Sequence, residues 1–106
     1  MTTFDKREEA FEKKFSMDEE MRFKSVARRN RLFGQWVAEQ LGLSGAARDA
    51  YAKEIVAIEI DGGEAAVVRR IAADLAAKGS TITAANIQAK LDEFLAVAVA
   101  QVKAGT

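Results

Sequence analysis

The sequence predicts an all-α protein, a four-helix bundle with a long first helix and an overhanging N-terminal arm. Apolar residues recur at spacings of three and four along most of the chain. There is no Pro, and the Gly residues fall mainly where that pattern breaks. A chain of 106 residues has room for one such domain. We divide it into an arm, residues 1–16, and a bundle domain, residues 17–106.

The first helix is predicted over residues 17–42. Its core face is an apolar series at helical spacing, namely Phe23, Val26, Phe33, Val37 and Leu41. Asn30 occupies a polar position within this series, and a buried amide needs hydrogen-bond partners. It either joins an internal network with another helix or lines a polar pocket reached by Arg28 or Arg29. Gly42 marks the expected C-terminal end.

Three shorter helices follow, over residues 46–60, 64–78 and 84–103. The residues around Ile55-Val56 also fit a strand, but no second strand candidate exists to pair with it. Asp61-Gly62-Gly63 separates the second helix from the third, Gly79 ends the third, and Thr83 is the expected N-cap of the fourth. The inward residues of these last two helices are Val67, Val68, Ile71, Leu75, Ile87, Leu91, Phe94, Leu95, Ala98 and Val102.

Composition argues against most enzyme classes. The chain has neither Cys nor His, so zinc, haem and thiol chemistry lack their usual ligands and nucleophile. Sixteen basic and sixteen acidic residues cancel, which leaves no net positive field for nucleic acid. No apolar run reaches the length of a membrane span, and the N-terminus lacks the apolar region of a secretory signal. We expect a cytoplasmic binding or regulatory protein.

The arm is the segment that the bundle does not accommodate. Phe4, Phe11 and Phe15 share one helical face, among acidic and basic residues. The first helix alone would be about 37 Å long, against about 23 to 30 Å for its partners, so the arm must overhang, fold back or stay disordered. Either the Phe residues pack on the bundle as a flap or a fraying end, or they anchor the arm in a partner's groove.

Arg28, Arg29 and Arg31 form the other feature of note. Three guanidinium groups within four residues can hold phosphate or carboxylate groups through forked hydrogen bonds. The alternative is a solvated helical face whose arginines pair with neighbouring acids.

The chain also resembles a known family, the zeta-subunit inhibitors of the alphaproteobacterial F-type ATP synthase. The specific motifs lie in residues 4–42, although length and helix order agree over the whole chain. These motifs are Phe4-Asp5, Arg7-Glu8, Phe11-Glu12, Lys14-Phe15, Phe23-Lys24, Ala27-Arg28-Arg29-Asn30, Leu32, Gly34, Trp36, Ala38 and Leu41-Gly42. Three residues depart from the family pattern, namely Phe33, Gln35 and Val37. We expect these departures to affect the packing of the bundle or its affinity for a nucleotide.

The resemblance implies an inhibitor of ATP hydrolysis whose arm inserts as a helix at a catalytic α/β interface and blocks the rotor. Its partners would be the α, β and γ subunits of the catalytic head, which would place it in the cytoplasm, peripheral to the membrane. By position, the arm contacts are Phe4, Arg7, Glu8, Phe11, Glu12, Lys14 and Phe15.

The family is also associated with regulatory ADP or ATP binding to the bundle, with no cofactor required. The corresponding nucleotide contacts would be Arg28, Arg29 and Asn30. An alternative function is therefore a helical binding protein that responds to adenine nucleotides and acts on another partner.

Overall fold

The computed structural model describes residues 18–105 of the chain. In chain order, its helices are α1 (Glu19–Gln40), α2 (Gly45–Ala77) and α3 (Ala84–Lys103). No strand occurs among the described residues, so the predicted all-α class is confirmed for them. None of the three helices combines the length and the apolar character that crossing a membrane requires.

α1 begins immediately after a capping residue. The Asp18 carboxylate accepts a hydrogen bond from the Met21 backbone N–H at 2.8 Å. Asp18 itself is extended, with φ −76° and ψ 176°, as the residue before a helix usually is. Glu19 and Glu20 then place negative charge at the positive end of the helix dipole. The helix predicted over 17–42 is therefore observed with a later start, because Asp18 caps it.

Two glycine turns separate the three helices. Gly42 and Gly79 both have φ of +83°, in the left-handed region that favours Gly. After each Gly, the N–H of Leu43 or Ser80 donates to a carbonyl in the preceding helix, at 2.9 and 3.0 Å. This arrangement satisfies carbonyls that the helix end would leave unpaired. The sequence prediction that the helices end at these glycines is confirmed.

The prediction of four separate helices is not confirmed. The segments predicted over 46–60 and 64–78 belong to one helical element, α2, in which Gly63 alone departs from helical geometry. Its φ of 77° and ψ of −177° fall in a region that only Gly occupies readily. The Asp61-Gly62-Gly63 break predicted from the sequence therefore coincides with a kink within α2.

The kink at Gly63 brings the two parts of α2 side by side. The Tyr51 hydroxyl donates to Asp74 at 2.7 Å across 23 residues of sequence. Arg70 Nη2 donates to Glu54 at 2.8 Å across 16 residues. A straight helix would hold these pairs about 35 and 24 Å apart. The two parts of α2 must therefore run back alongside one another.

α3 begins with a capping box. The Asn86 N–H donates to the Thr83 hydroxyl at 3.1 Å, and the Thr83 N–H donates to the Asn86 side-chain oxygen at 3.3 Å. The predicted helix 84–103 and its Thr83 N-cap are both observed.

The core is built from side chains of all three helices, with α1 packed against both α2 and α3. The largest fully buried apolar residues are Phe33, Ile55, Ile71, Ile87, Leu91, Val37 and Val67. Phe23 was also assigned to the core face of α1, and that assignment is wrong, because its side chain is 65% exposed. It lies near the start of α1, where the helix borders an open groove instead of a packed layer.

Candidate functional site

Arg29 is the single charged residue that is buried among the described residues, with 4% of its surface exposed. Its guanidinium donates from Nη2 to Glu59 Oε1 and from Nη1 to Glu64 Oε1, both at 2.7 Å. Glu59 precedes Gly63 and Glu64 follows it. One side chain of α1 therefore holds the chain on both sides of the α2 kink.

Asn30 completes this buried network. Its Oδ1 accepts a hydrogen bond from Arg29 Nε at 3.2 Å, and its Nδ2 donates to Glu59 Oε1 at 3.3 Å. The internal network that the sequence offered as one alternative for Asn30 is thus observed. A phosphate group would reach Arg29 or Asn30 only by replacing one of the two carboxylates.

Arg28 points to a different surface, a groove of about 680 Å3 between the three helices. We call it the basic groove, and its main lining residues are cations and larger apolar side chains, namely Lys24, Arg28, Arg31, Lys53, Phe23, Val56 and Val102. Val56 and Val102 are partly buried, and Phe23 is exposed at this surface. The groove thus combines apolar surface with four positive charges.

The charge of the basic groove is only partly compensated. Lys24 pairs with Glu20 at 3.1 Å on the exposed surface, and Arg28 donates a hydrogen bond to Gln101 at 3.4 Å. Arg31 and Lys53 have no acidic partner within residues 18–105. No carboxylate lines the groove in that part of the chain. Such a surface favours an anionic ligand or an acidic segment.

The sequence singled out two cations of this groove, Arg28 and Arg31, but not Lys24 or Lys53. The cations Lys24, Arg31 and Lys53 come from two helices, and Val56 and Val102 come from two as well. Lys24 shares a helical face with Arg28 and Arg31, whereas Lys53, Val56 and Val102 join them only through the packing of the other two helices.

A second polar cluster joins the two parts of α2. Arg70 donates to both Glu54 and Asp74 at 2.8 Å, and it lies over the Tyr51 ring. Burial and the hydrogen bond to Asp74 raise the pKa of the Tyr51 phenol above its usual value. Hydrogen bonds to Glu54 and Asp74 likewise raise the pKa of Arg70. Every charge in this cluster has a partner, which indicates a structural role.

Trp36 lies at the edge of the core, partly buried against it. Its ring centroid is 5.8 Å from that of Phe33 and 6.5 Å from that of Phe94, and Lys90 lies 5.4 Å from it. A smaller cavity of about 330 Å3 adjoins it, bordered by Lys78, Gly79 and other residues of the second turn. This cavity carries one cation and so offers less for an anion than the basic groove does.

The predicted arm contacts, Phe4, Arg7, Glu8, Phe11, Glu12, Lys14 and Phe15, lie outside the described residues. Within residues 18–105, no group of three or more acidic residues is arranged to hold a metal ion.

A family model described as ATPase inhibitor subunit zeta matches residues 1–101. The chain belongs to this family. The match confirms the resemblance seen in residues 4–42 and extends it through α2 into α3. No curated protein matches the chain.

The match to the zeta family model covers both candidate functional regions, the arm and the basic groove. The matched residues include the arm and all but the C-terminal edge of the basic groove, at Val102 and Gly105. The family description also indicates a regulatory subunit.

Proposed function

We propose that the chain inhibits ATP hydrolysis by the F-type ATP synthase, with residues 1–16 as its inhibitory arm. Membership of the zeta family carries the proposal, because that family is described as an ATPase inhibitor subunit. The arm inserts as a helix at a catalytic interface between the α and β subunits and blocks rotation of the γ subunit. The protein then resides in the cytoplasm, peripheral to the membrane through the synthase.

Three Phe side chains give the arm its proposed anchors. Phe4, Phe11 and Phe15 fall on one helical face, and their burial in a partner's groove would contribute several kcal/mol before ordering costs. The polar contacts come from the charged residues around them, namely Arg7, Glu8, Glu12 and Lys14. The family match starts at residue 1 and so includes every one of these positions.

The observed start of α1 supports an arm that is distinct from the bundle. Asp18 is extended and caps α1 with its own carboxylate, so the α1 helix does not continue into the arm.

Replacing the three arm Phe residues by Ser tests this role while keeping the arm's length and charge. ATP hydrolysis by the purified catalytic head should be inhibited by the natural chain and, at the same concentration, hardly at all by F4S/F11S/F15S. Ile60→Ser is the matched control, since Ile60 is 66% exposed and lies far along the chain from the arm. Undiminished inhibition by the triple variant would refute the arm mechanism.

A second candidate function is adenine-nucleotide binding at the basic groove, and the groove's charge favours it. Lys24, Arg28, Arg31 and Lys53 can hold phosphate groups, and the exposed ring of Phe23 offers a surface on which a base can stack. Arg29 and Asn30, also expected as nucleotide contacts, lie behind Arg28 in the buried network. In this function the chain responds to ADP or ATP, and its main output can lie with another partner.

Calorimetric titration with ATP tests the nucleotide site. The double variant R31S/K53S should weaken binding at least tenfold, because it removes two of the four cations. Lys78→Ser removes a cation from the smaller cavity and should leave binding unchanged. Equal affinity in all three proteins would exclude the basic groove as the nucleotide site.

A further inference from the structure

We propose that, when the protein is alone, its own arm docks in the basic groove and leaves that groove in order to inhibit. The inference goes beyond the proposed inhibition, because it concerns what holds the arm before a synthase is present. It commits the groove to one occupant, residues 1–16 of the same chain.

The groove presents apolar surface that the described residues leave uncovered. Phe23 is 65% exposed although it belongs to the apolar series of α1. It lies with the partly buried Val56 and Val102 in a concave surface formed by all three helices. Covering an aromatic side chain in such a concave apolar surface with an apolar partner is more favourable than leaving it in water.

The position of the arm makes it the nearest candidate for that partner. It ends just before Asp18, and the groove begins at Phe23, only about one and a half turns into α1. Asp18 is extended, so the arm need not follow the α1 axis and can turn back across the groove. A tethered segment this close has a high effective concentration at the groove.

Length also agrees. As a helix, sixteen residues would span about 24 Å, while the stretch of α1 from Phe23 to Arg31 spans about 12 Å. The arm is therefore long enough to cover the α1 side of the groove.

The arm's charges complement the groove. On a helix, Phe4, Phe11 and Phe15 fall within an arc of about 40°. Acidic residues lie on one flank of that arc and basic residues on the other, namely Asp5, Glu8, Glu9 and Glu12 against Lys6, Arg7, Lys13 and Lys14. The acidic flank matches the four cations of the groove while the Phe residues meet its apolar surface. A nucleotide bound to the same cations would compete with the arm.

A spin label on the arm tests the docking in the intact chain. The protein has no Cys, so Ala10→Cys provides a unique attachment site, about 120° around the helix from the Phe residues. The label should broaden the amide signals of Lys53, Val56 and Gly105 in the groove. The signals of Gly79 and Ser80 at the smaller cavity should stay sharp.

Phe23→Ala and Ile60→Ala form a matched pair for this experiment, because the two side chains are 65% and 66% exposed and neither supports the core. Phe23→Ala should remove most of the broadening, and Ile60→Ala should preserve it. Absent or evenly spread broadening would overturn the proposal. A second result would also overturn it. If an isotope-enriched chain without the spin label is broadened when mixed with a spin-labelled chain, the occupant of the groove is a second copy.

Inhibition gives an independent readout. A docked arm is unavailable to the synthase. Complete undocking therefore raises the protein's apparent affinity for the synthase by the inverse of the fraction of chains whose arm was already undocked. Phe23→Ala should therefore lower the concentration needed for half inhibition by about threefold or more. A higher concentration would instead make the groove a synthase contact and overturn the proposal. If the natural chain fails to inhibit at all, the proposed function falls, and the broadening still decides the docking.

Discussion

Arg29 shows how one side chain can determine the geometry of several elements. It lies on α1, yet its two ion pairs reach Glu59 and Glu64, 30 and 35 residues further along the chain. Asn30 Oδ1 accepts a hydrogen bond from Arg29 Nε, so each of the three guanidinium nitrogens has a partner. Because Gly63 lies between the two carboxylates, the pairs fix the direction in which α2 reverses relative to α1.

Substituting Arg29 by Met should destabilise the bundle by about 3 kcal/mol, because two mostly buried carboxylates lose their common partner. Urea unfolding followed by the fluorescence of Trp36, the single Trp, measures this. Arg48→Met is the control: its pairs, at 3.5 and 3.6 Å, are more exposed and should contribute less than about 1 kcal/mol. Equal effects of the two substitutions would contradict the structural role assigned to Arg29.

The raised pKa of Tyr51 predicts that the protein loses stability at alkaline pH. The pKa of this phenol is raised in the folded state by burial and by Asp74, with Glu54 adding to the rise and Arg70 opposing it. Above pH 10 the unfolded chain releases the phenol proton while the folded chain keeps it. Unfolding therefore becomes easier, by about 1.4 kcal/mol per pH unit from this group.

Absorbance of the tyrosinate ion reports the titration directly, since Tyr51 is the single Tyr. Folded protein should titrate well above pH 10, and Tyr51→Phe should flatten the alkaline fall in stability relative to the natural chain. A phenol that titrates near 10 while the protein remains folded would rule out the buried hydrogen bond to Asp74.

At the scale of the elements, α2 depends on a conformation that only Gly adopts readily. Gly63→Ala should cost about 2 kcal/mol, because a Cβ is strained at φ 77° and ψ −177°. Gly105→Ala serves as the control, since φ is 80° there too but Gly105 lies beyond the last helical residue, Lys103. Hydrogen exchange of the α2 amides should accelerate in the first variant alone. Unchanged exchange and stability in Gly63→Ala would contradict a fixed kink.

Gly34 shows a different use of Gly, at a helix contact. A Cβ on Gly34 would come within 2.9 Å of the Ala52 Cα, so α1 and α2 pack backbone to backbone at this point. We expect Gly34→Ala to separate α1 from α2 and to lower the urea midpoint. A midpoint equal to that of the natural chain would contradict the close contact.

Local signals were sufficient to predict most of the elements. Thr83 identified the start of α3, Gly42 and Gly79 the ends of α1 and α2, and Gly63 the break in α2, because each acts through its own backbone conformation. The sequence predicted that this break would separate two helices, whereas the structure shows one element with a kink at Gly63. That outcome depends on Arg29, which is remote in the sequence.

The candidate site was less predictable for the same reason. Arg28, Arg29 and Arg31 are close neighbours in sequence, yet Arg29 turns into the core and the other two line the basic groove. Helical periodicity placed Phe23 on the core face, but it could not show where the neighbouring helices end. The apolar surface of the groove and its cation from α2, Lys53, therefore became apparent only from the packing of the three helices.

At the scale of the whole molecule, the proposed mechanism makes the bundle the base and the arm the inhibitory element. The buried network and the paired charges of α2 hold α1 in place, and α1 in turn presents both the capped junction at Asp18 and the basic groove. In this account, a single surface keeps the arm when the protein is alone and releases it to the synthase.

The most direct test is ATP hydrolysis by the purified cognate catalytic head, measured with the intact protein and with a version lacking residues 1–16. The intact protein should inhibit, and removal of the arm should abolish inhibition, while circular dichroism shows the helices of residues 18–105 retained. Full inhibition by the shortened, folded protein would contradict the account, because the inhibitory contact would then lie on the bundle.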